Sequence, residues 1–159
     1  MAKVTAKAKF DVLTELDTFF NSETVRKLGR TIVGGIKDHV AKGLSPVRDH
    51  KRFDRYSDSY TKTIKRGGIP GKTVRPVNLR KSGEMLDALD YKAIENGVEV
   101  GFFSGKPAEI AGYHQDGTSK MPMRRMIPDK LEEFTVSIQD DVKDVYAARV
   151  NDIIRRSNR

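Results

Sequence analysis

The residues best equipped for chemistry lie in one stretch, AGYHQDGTSKMPMRRMIP, Ala111 to Pro128. A histidine, an aspartate, aliphatic hydroxyls and two arginines stand there beside three methionines. Nucleophilic catalysis needs a hydroxyl activated by an oriented base. His114, Asp116 and Ser119 supply the residue types, but closeness along the chain does not make a triad. The strained turn that exposes a hydrolase serine, G-x-S-x-G, does not occur in the sequence.

Two other stretches invite a chemical reading. GGIPGKT, Gly67 to Thr73, is similar to a phosphate-binding loop, which needs four residues between its first glycine and the Gly-Lys pair. Here Gly67 and Gly71 are separated by three, and the required position holds Arg66. No apolar strand precedes it, so a basic flexible turn is the better reading. The histidines His39, His50 and His114 show no spacing that would converge on a metal. The chain has no cysteine, which removes thiolate chemistry, disulfides and cysteine metal sites and fits synthesis in a reducing cytoplasm. No metal, no cofactor and no catalytic residue is expected.

Read structurally, the same stretch is coherent. Ala111 and Tyr113 are expected to pack inward. Gly117 after Asp116 supplies a turn, and an aspartate there can bond its own backbone. Met121-Pro122-Met123 is an extended piece that cannot join the centre of a sheet. Arg124 and Arg125 present planar forks suited to carboxylates. Met123 and Met126 fill irregular gaps, in the core or against a neighbour.

The elements that must position this stretch follow from periodicity. Val4–Phe10 alternates loosely and reads as a short strand; Leu13, Leu16, Phe19 and Phe20 fall at helical spacing. Asn21 or Ser22 can cap a longer amphipathic helix whose stripe is Val25, Leu28, Ile32, Ile36 and Val40. Gly34 and Gly35 interrupt it, which points to a close backbone approach or a kink. Gly43 ends it and Pro46 prevents its resumption. From Leu86 to Phe102 the pattern is β: Leu89, Tyr91 and Ala93 alternate with polar residues, as do Val98, Val100 and Phe102. Asn96-Gly97 between them suits a tight hairpin turn. Pro107–His114 reads as a short helix with Pro107 in its first turn. After Pro128 no glycine or proline follows. Leu131, Phe134, Ile138, Val142, Val145, Tyr146, Val150 and Ile153 then trace one face, predicting a helix over 129–156 with Arg155 and Arg156 at its C-terminal end. The fold class is therefore α+β: an antiparallel sheet built on a central β-hairpin, packed on one face by two long amphipathic helices.

The charge is unevenly placed. The formal net charge is +8, from 30 Lys/Arg and 22 Asp/Glu. Arg48 to Lys81 holds eleven basic and three acidic residues, a net of +8, leaving nineteen of each elsewhere. That segment reads as a long basic loop, with one extended piece near Tyr56–Ile64, in a single domain over residues 1–159. A loop this long is usually functional, and it could order on a partner. A field concentrated there attracts nucleic acid or an acidic protein surface. The residues that would carry such contacts are Arg48, Lys51, Arg52, Arg55, Lys62, Lys65, Arg66, Lys72 and Arg75. No apolar run is long enough to span a membrane, and the N-terminus lacks the apolar core of a secretory signal.

Four stretches taken in order resemble a known family: LRKSGEML (Leu79–Leu86), VEVGF (Val98–Phe102), AGYHQDGT (Ala111–Thr118) and MPMRRMIP (Met121–Pro128). They look like the phage virion-morphogenesis and tail-completion proteins, the group that includes relatives of minor tail protein Z and Mu protein G. The likeness covers the C-terminal half. Arg125 and Met126 stand where the family often has proline and phenylalanine, and the basic segment is longer than the usual link.

The resemblance implies a structural virion protein at the head–tail junction, with no enzymatic role. Its copies would form a homo-oligomeric ring, a hexamer by family resemblance, around the DNA channel. The neighbours would be head-connector and tail-tube or tail-terminator proteins. The protein would be made in the host cytoplasm and end in the virion. The resemblance further implies that Arg80, Ser82 and Gly83 shape the approach to the hairpin, and that His114, Gly117, Pro122 and Arg124 fix the loop before the last helix. Tyr113 and Arg125 belong to the same candidate interface. The alternative from another class is a free nucleic-acid-binding protein acting through residues 48–81.

Overall fold

The computed structural model describes residues 7–11, 21–67, 70–95 and 97–158. The helical spacing at Leu13–Phe20 lies outside them. The described order is β1 (Lys7–Asp11), α1 (Ser22–Ala41), α2 (Asp58–Lys65), α3 (Glu84–Asp87), β2 (Leu89–Ile94), β3 (Gly97–Phe102), α4 (Gly105–Asp116), a short 3-10 turn (Leu131–Glu133) and α5 (Val136–Ser157). The α+β class holds: an antiparallel sheet around the hairpin, with helices packed against it.

Helix α1 begins where the Asn21 side chain accepts a hydrogen bond from the Thr24 amide at 2.8 Å. Its predicted stripe, Val25, Leu28, Ile32, Ile36 and Val40, is buried throughout. It stops at Gly43, whose φ is +71°. The Gly43 amide bonds the Val40 carbonyl and the Leu44 amide bonds that of His39. A side chain at Gly43 would also put its Cβ 2.6 Å from Pro76.

The sheet runs β1-β3-β2, all antiparallel, with β3 in the middle. Leu89 pairs with Phe102, Tyr91 with Val100 and Ala93 with Val98, so the apolar residues of the hairpin share one face. On the other face Lys92 opposes Glu99. Helix α1 lies on the apolar face, closely enough that a Cβ on Gly29 would fall 2.2 Å from the Tyr91 ring. Helix α5 packs chiefly along α1, where a Cβ on Gly35 would meet Ile138 at 2.8 Å. Gly35 is thus approached by a side chain rather than by the other backbone read from the glycine pair, while Gly34 faces open space.

The structure departs from the sequence reading in several places. Helix α1 takes most of the sheet face and α5 packs chiefly on α1, with Val142 and Tyr146 of α5 meeting Gly97 and Val98 of β3 around one small cleft. Ile94 pairs with Gly97, so the hairpin turns one residue earlier than Asn96-Gly97. The 129–156 helix begins only at Val136. The intervening backbone is engaged elsewhere: Arg48 donates to the Glu133 carbonyl at 2.7 Å and Thr135 to the Pro46 carbonyl at 2.8 Å. Phe134 turns fully into the core. At the far end of α5, Val150 and Ile154 are exposed, so the core stripe ends near Tyr146.

The basic connection between α1 and the hairpin is more built-in than a solvated loop. Residues 58–65 form α2 rather than an extended piece, because Ser57 accepts from the Tyr60 amide, Asp58 occupies the first turn and Lys62 and Lys65 the last. Phe53, Tyr56, Ile64, Val77 and Leu79 from this segment enter the core.

Candidate functional site

The loop from Gly117 to Pro128 is tied down at both ends. The Arg124 amide donates to the His114 carbonyl at 2.7 Å. Gln115 does more: its side-chain oxygen accepts from the Met126 and Ile127 amides at 3.0 and 3.2 Å, and its amide nitrogen donates to the Ile127 carbonyl. Ser45, distant in sequence, donates from Oγ to the Arg125 carbonyl at 2.6 Å. Gly117 sits at φ +73° with Met123 so close that a Cβ would lie 2.9 Å from its amide nitrogen. Glycine is the residue that meets both demands. Thr118 and Met121 bridge each other's backbone across the turn.

The two arginines diverge. Arg124 is 3% exposed and turns inward. Its Nε and Nη2 donate to the Asp54 carbonyl at 3.2 and 3.1 Å, and Nη2 also reaches the Arg55 carbonyl at 3.1 Å. The fork therefore holds backbone, not a carboxylate, and it locks the basic segment to the loop. Arg125 alone meets the carboxylate expectation, pairing with Asp129 at 2.6 Å and Glu133 at 3.6 Å. Tyr113 also departs from its reading. It is 46% exposed, and its hydroxyl donates to Glu109. Ala111 and Met126 are fully buried, whereas Met123 is exposed.

Behind this loop lies a cavity of about 1170 Å³. Tyr56, Tyr60, Lys72, His114, Arg124, Tyr113 and Pro122 line it, with Ser82 and Gly83 from the approach to the hairpin. Lys72 follows the turn at Pro70 and Gly71 and lines the cavity. Its Nζ donates to the Arg80 carbonyl at 2.8 Å and stands 4.5 Å from the centre of the Tyr56 ring. Burial lowers its pKa to about 8, helped by the nearby Arg124 and Lys81 charges. Burial, with Arg124 and Lys72 alongside, pushes His114 down to about 4. Its Nδ1 is buried without a hydrogen-bond partner among the described residues. Burial raises Tyr56 to about 12, partly offset by the backbone of Leu79 close by, which does not meet the hydroxyl in hydrogen-bond geometry. Leu79 is buried at φ +50°, a conformation few side-chain-bearing residues adopt. Asn78 braces the turn beside it, donating to the Gly71 carbonyl and accepting from the Arg80 amide. Gly83, at φ +99°, begins α3, and Ser82 Oγ donates to Glu84 at 3.0 Å.

The structure thus gathers Ser82, Gly83, Lys72, Tyr113, His114, Pro122 and Arg124 around one cavity. Asp116 and Ser119 are exposed and do not line it. Of the remaining basic residues, Arg55 reaches this cavity, while Arg48, Lys51, Arg52, Lys62, Lys65, Arg66 and Arg75 are exposed elsewhere. The ion pairs among the described residues involve none of them. Sequence reasoning passed over Tyr56, Tyr60, Gln115 and Ser45. A signal for the tyrosines was available: Tyr56 and Tyr60 stand four apart at helical spacing. Gln115 and Ser45 gave none, since their partners are backbone groups brought near only by folding.

Among the described residues no group of three or more histidine and acidic side chains could hold a metal, and no helix is long and apolar enough to cross a membrane. Comparison with protein-family models, with curated proteins and with solved structures finds no match.

Proposed function

We propose that this chain is a structural protein of a phage particle, acting at the head–tail junction in the neck or tail-completion position. Its copies form a closed ring, hexameric by resemblance, around the DNA channel, between head-connector and tail-tube or tail-terminator proteins. It turns over no substrate, is made in the host cytoplasm and resides in the virion.

One observation carries this reading. The four stretches that resemble the tail-completion family are spread over fifty residues, 79 to 128, yet they form one contiguous unit of α3, β3, α4 and the braced loop. The polar groups of that unit hold shape: Arg124 on carbonyls, Gln115 on loop amides, Gly117 at the turn. Surfaces for neighbouring copies are at hand. Strand β2 is a sheet edge with Asp90, Lys92 and Ala93 exposed. Tyr113 and Met123 stand out from the loop region, and α5 carries its apolar stripe outward through Val150 and Ile154. A ring needs two different patches that meet head to tail, and these are separate elements.

Electron microscopy of purified virions tests the reading. The expected result is an annulus at the neck whose repeating density accepts this α+β domain. Absence of the chain from purified particles overturns it.

A second reading, free nucleic-acid binding, is favoured by the exposed cations of residues 48–75, which form no ion pair among the described residues. It predicts tight, salt-sensitive binding of DNA by the monomer.

A further inference from the structure

We propose that the cavity behind the 117–128 loop is a docking site for an extended segment of another protein, one that carries a carboxylate next to an apolar side chain. The inference goes beyond the ring and stands on the cavity alone. Absence of the chain from virions would leave it intact.

The cavity lining is strongly positive. Arg55, Lys72, Lys81, Lys106, Lys120 and Arg124 line the cavity, against a single carboxylate among its described lining residues, Glu84. Glu84 already accepts from Ser82. Arg124 and Lys72 both disfavour the protonated form of His114, and Arg124 and Lys81 disfavour that of Lys72. Lys72 and Arg124 are like charges in a partly desolvated space, and a carboxylate placed between them would offset part of that cost. The buried, unpartnered Nδ1 of His114 offers a further hydrogen bond.

Leu79, Met85, Leu86, Ile110, Met121 and Pro122 give the cavity a largely apolar lining. Methionine and proline surfaces suit a side chain such as leucine or phenylalanine. At about 1170 Å³ the space exceeds the roughly 300–1,000 Å³ that a small-molecule site needs. Exposed Lys81, Lys106 and Lys120 extend the positive field along it, which fits a chain rather than a lone anion.

Nucleic acid fits less well. Base stacking needs a free aromatic face. The Tyr56 ring already carries Lys72 Nζ at 4.5 Å and the Arg124 guanidinium at 5.3 Å, and Tyr60 packs edge-on against it at 5.3 Å. The exposed cations Lys62 and Lys65 of α2 do not line this cavity.

The test is selection from a yeast-displayed random linear-peptide library against the purified full chain. The strongest binder is then synthesised and followed by amide chemical shifts. Enriched sequences should carry Asp or Glu beside Leu, Ile or Phe, and shifts should cluster at Lys72, Tyr113 and Met121. Lys72→Met should weaken the synthetic peptide by about tenfold or more, the loss of one charge-assisted contact. Lys106→Glu, on an exposed side chain that does not hold the fold, should weaken it in the same direction. The Lys62→Gln/Lys65→Gln variant should leave affinity within about twofold, as expected for charges outside the site. Selection of acid-free peptides, shifts confined to α2, or affinity that survives both Lys72→Met and Lys106→Glu would overturn the proposal. So would a single-stranded oligonucleotide that produces the cavity shifts in the peptide's place.

Discussion

His114 and Lys72 show how one environment sets two basic side chains apart from their solvent-exposed counterparts. His114 is pushed down to about 4 from an ordinary 6.5. Between those values the unfolded chain takes up the proton and the folded chain does not. Its contribution to stability is therefore full above pH 6.5 and is lost as pH falls toward 4, by roughly 3 kcal/mol at most. Urea unfolding from pH 7 to pH 4 checks this, with His114→Gln expected to flatten that part of the profile. Lys72, lowered to about 8, should carry a neutral amine on about half the molecules at pH 8, where an ordinary lysine is almost wholly charged. In a short acetic anhydride pulse at that pH, mapped by mass spectrometry, Lys72 should be acetylated well ahead of exposed lysines such as Lys62. Equal labelling would count against its depressed basicity. At this scale the sequence revealed residue types only. It marked His114 and Arg124 as conspicuous, but the direction the Arg124 side chain takes depends on the carbonyls of Asp54 and Arg55 and the ring of Tyr56, about seventy residues away along the chain.

Among the elements, the glycines of α1 discriminate between close packing and mere helix interruption. Gly29 lies against the Tyr91 ring, and Gly34 faces open space within the helix. Gly29→Ala should destabilise the protein by about 1–3 kcal/mol, because the ring or the helix must shift. Gly34→Ala should stabilise it by about 0.5–1 kcal/mol, since alanine loses less backbone freedom in a helix. Thermal unfolding of the two variants should move in opposite directions. Stabilisation by Gly29→Ala would mean that α1 and β2 are not in contact as described. The stripe of α1 and the alternation of the hairpin were legible because each is a local pattern with a fixed period. The start of α5 was not, because the helix is held off by hydrogen bonds from the backbone of residues 46–48. His39 adds to that junction, donating from Nδ1 to the Gly35 carbonyl while Nε2 accepts from the Thr135 hydroxyl.

For the whole molecule the question is where the +8 charge acts. Lys62, Lys65 and Arg66 are exposed on and just after α2 and take no part in the cavity. If residues 48–75 touch DNA, the slope of log affinity against log salt should be steep, and replacing those three with glutamine should reduce it by about 3, near 0.9 per lost phosphate contact. Fluorescence anisotropy with a duplex across a salt series gives the slope directly. An unchanged slope would move the basic segment from DNA to a protein neighbour. Either result bears on the proposed ring, whose inner surface would face the DNA channel.

The sequence by itself determined the α+β class, the stripe of α1, the hairpin and the concentration of charge in residues 48–81, because each is written in neighbouring residues. Only the tertiary structure decided that this charged segment is anchored by Phe53, Tyr56, Ile64, Val77 and Leu79 in the core, and that Arg124 clasps it to the loop. It also decided that a basic cavity opens where the two meet. The physical reason is that such contacts join residues far apart in sequence. Their partners are mostly backbone carbonyls and ring faces, which every sequence contains and only folding brings into reach.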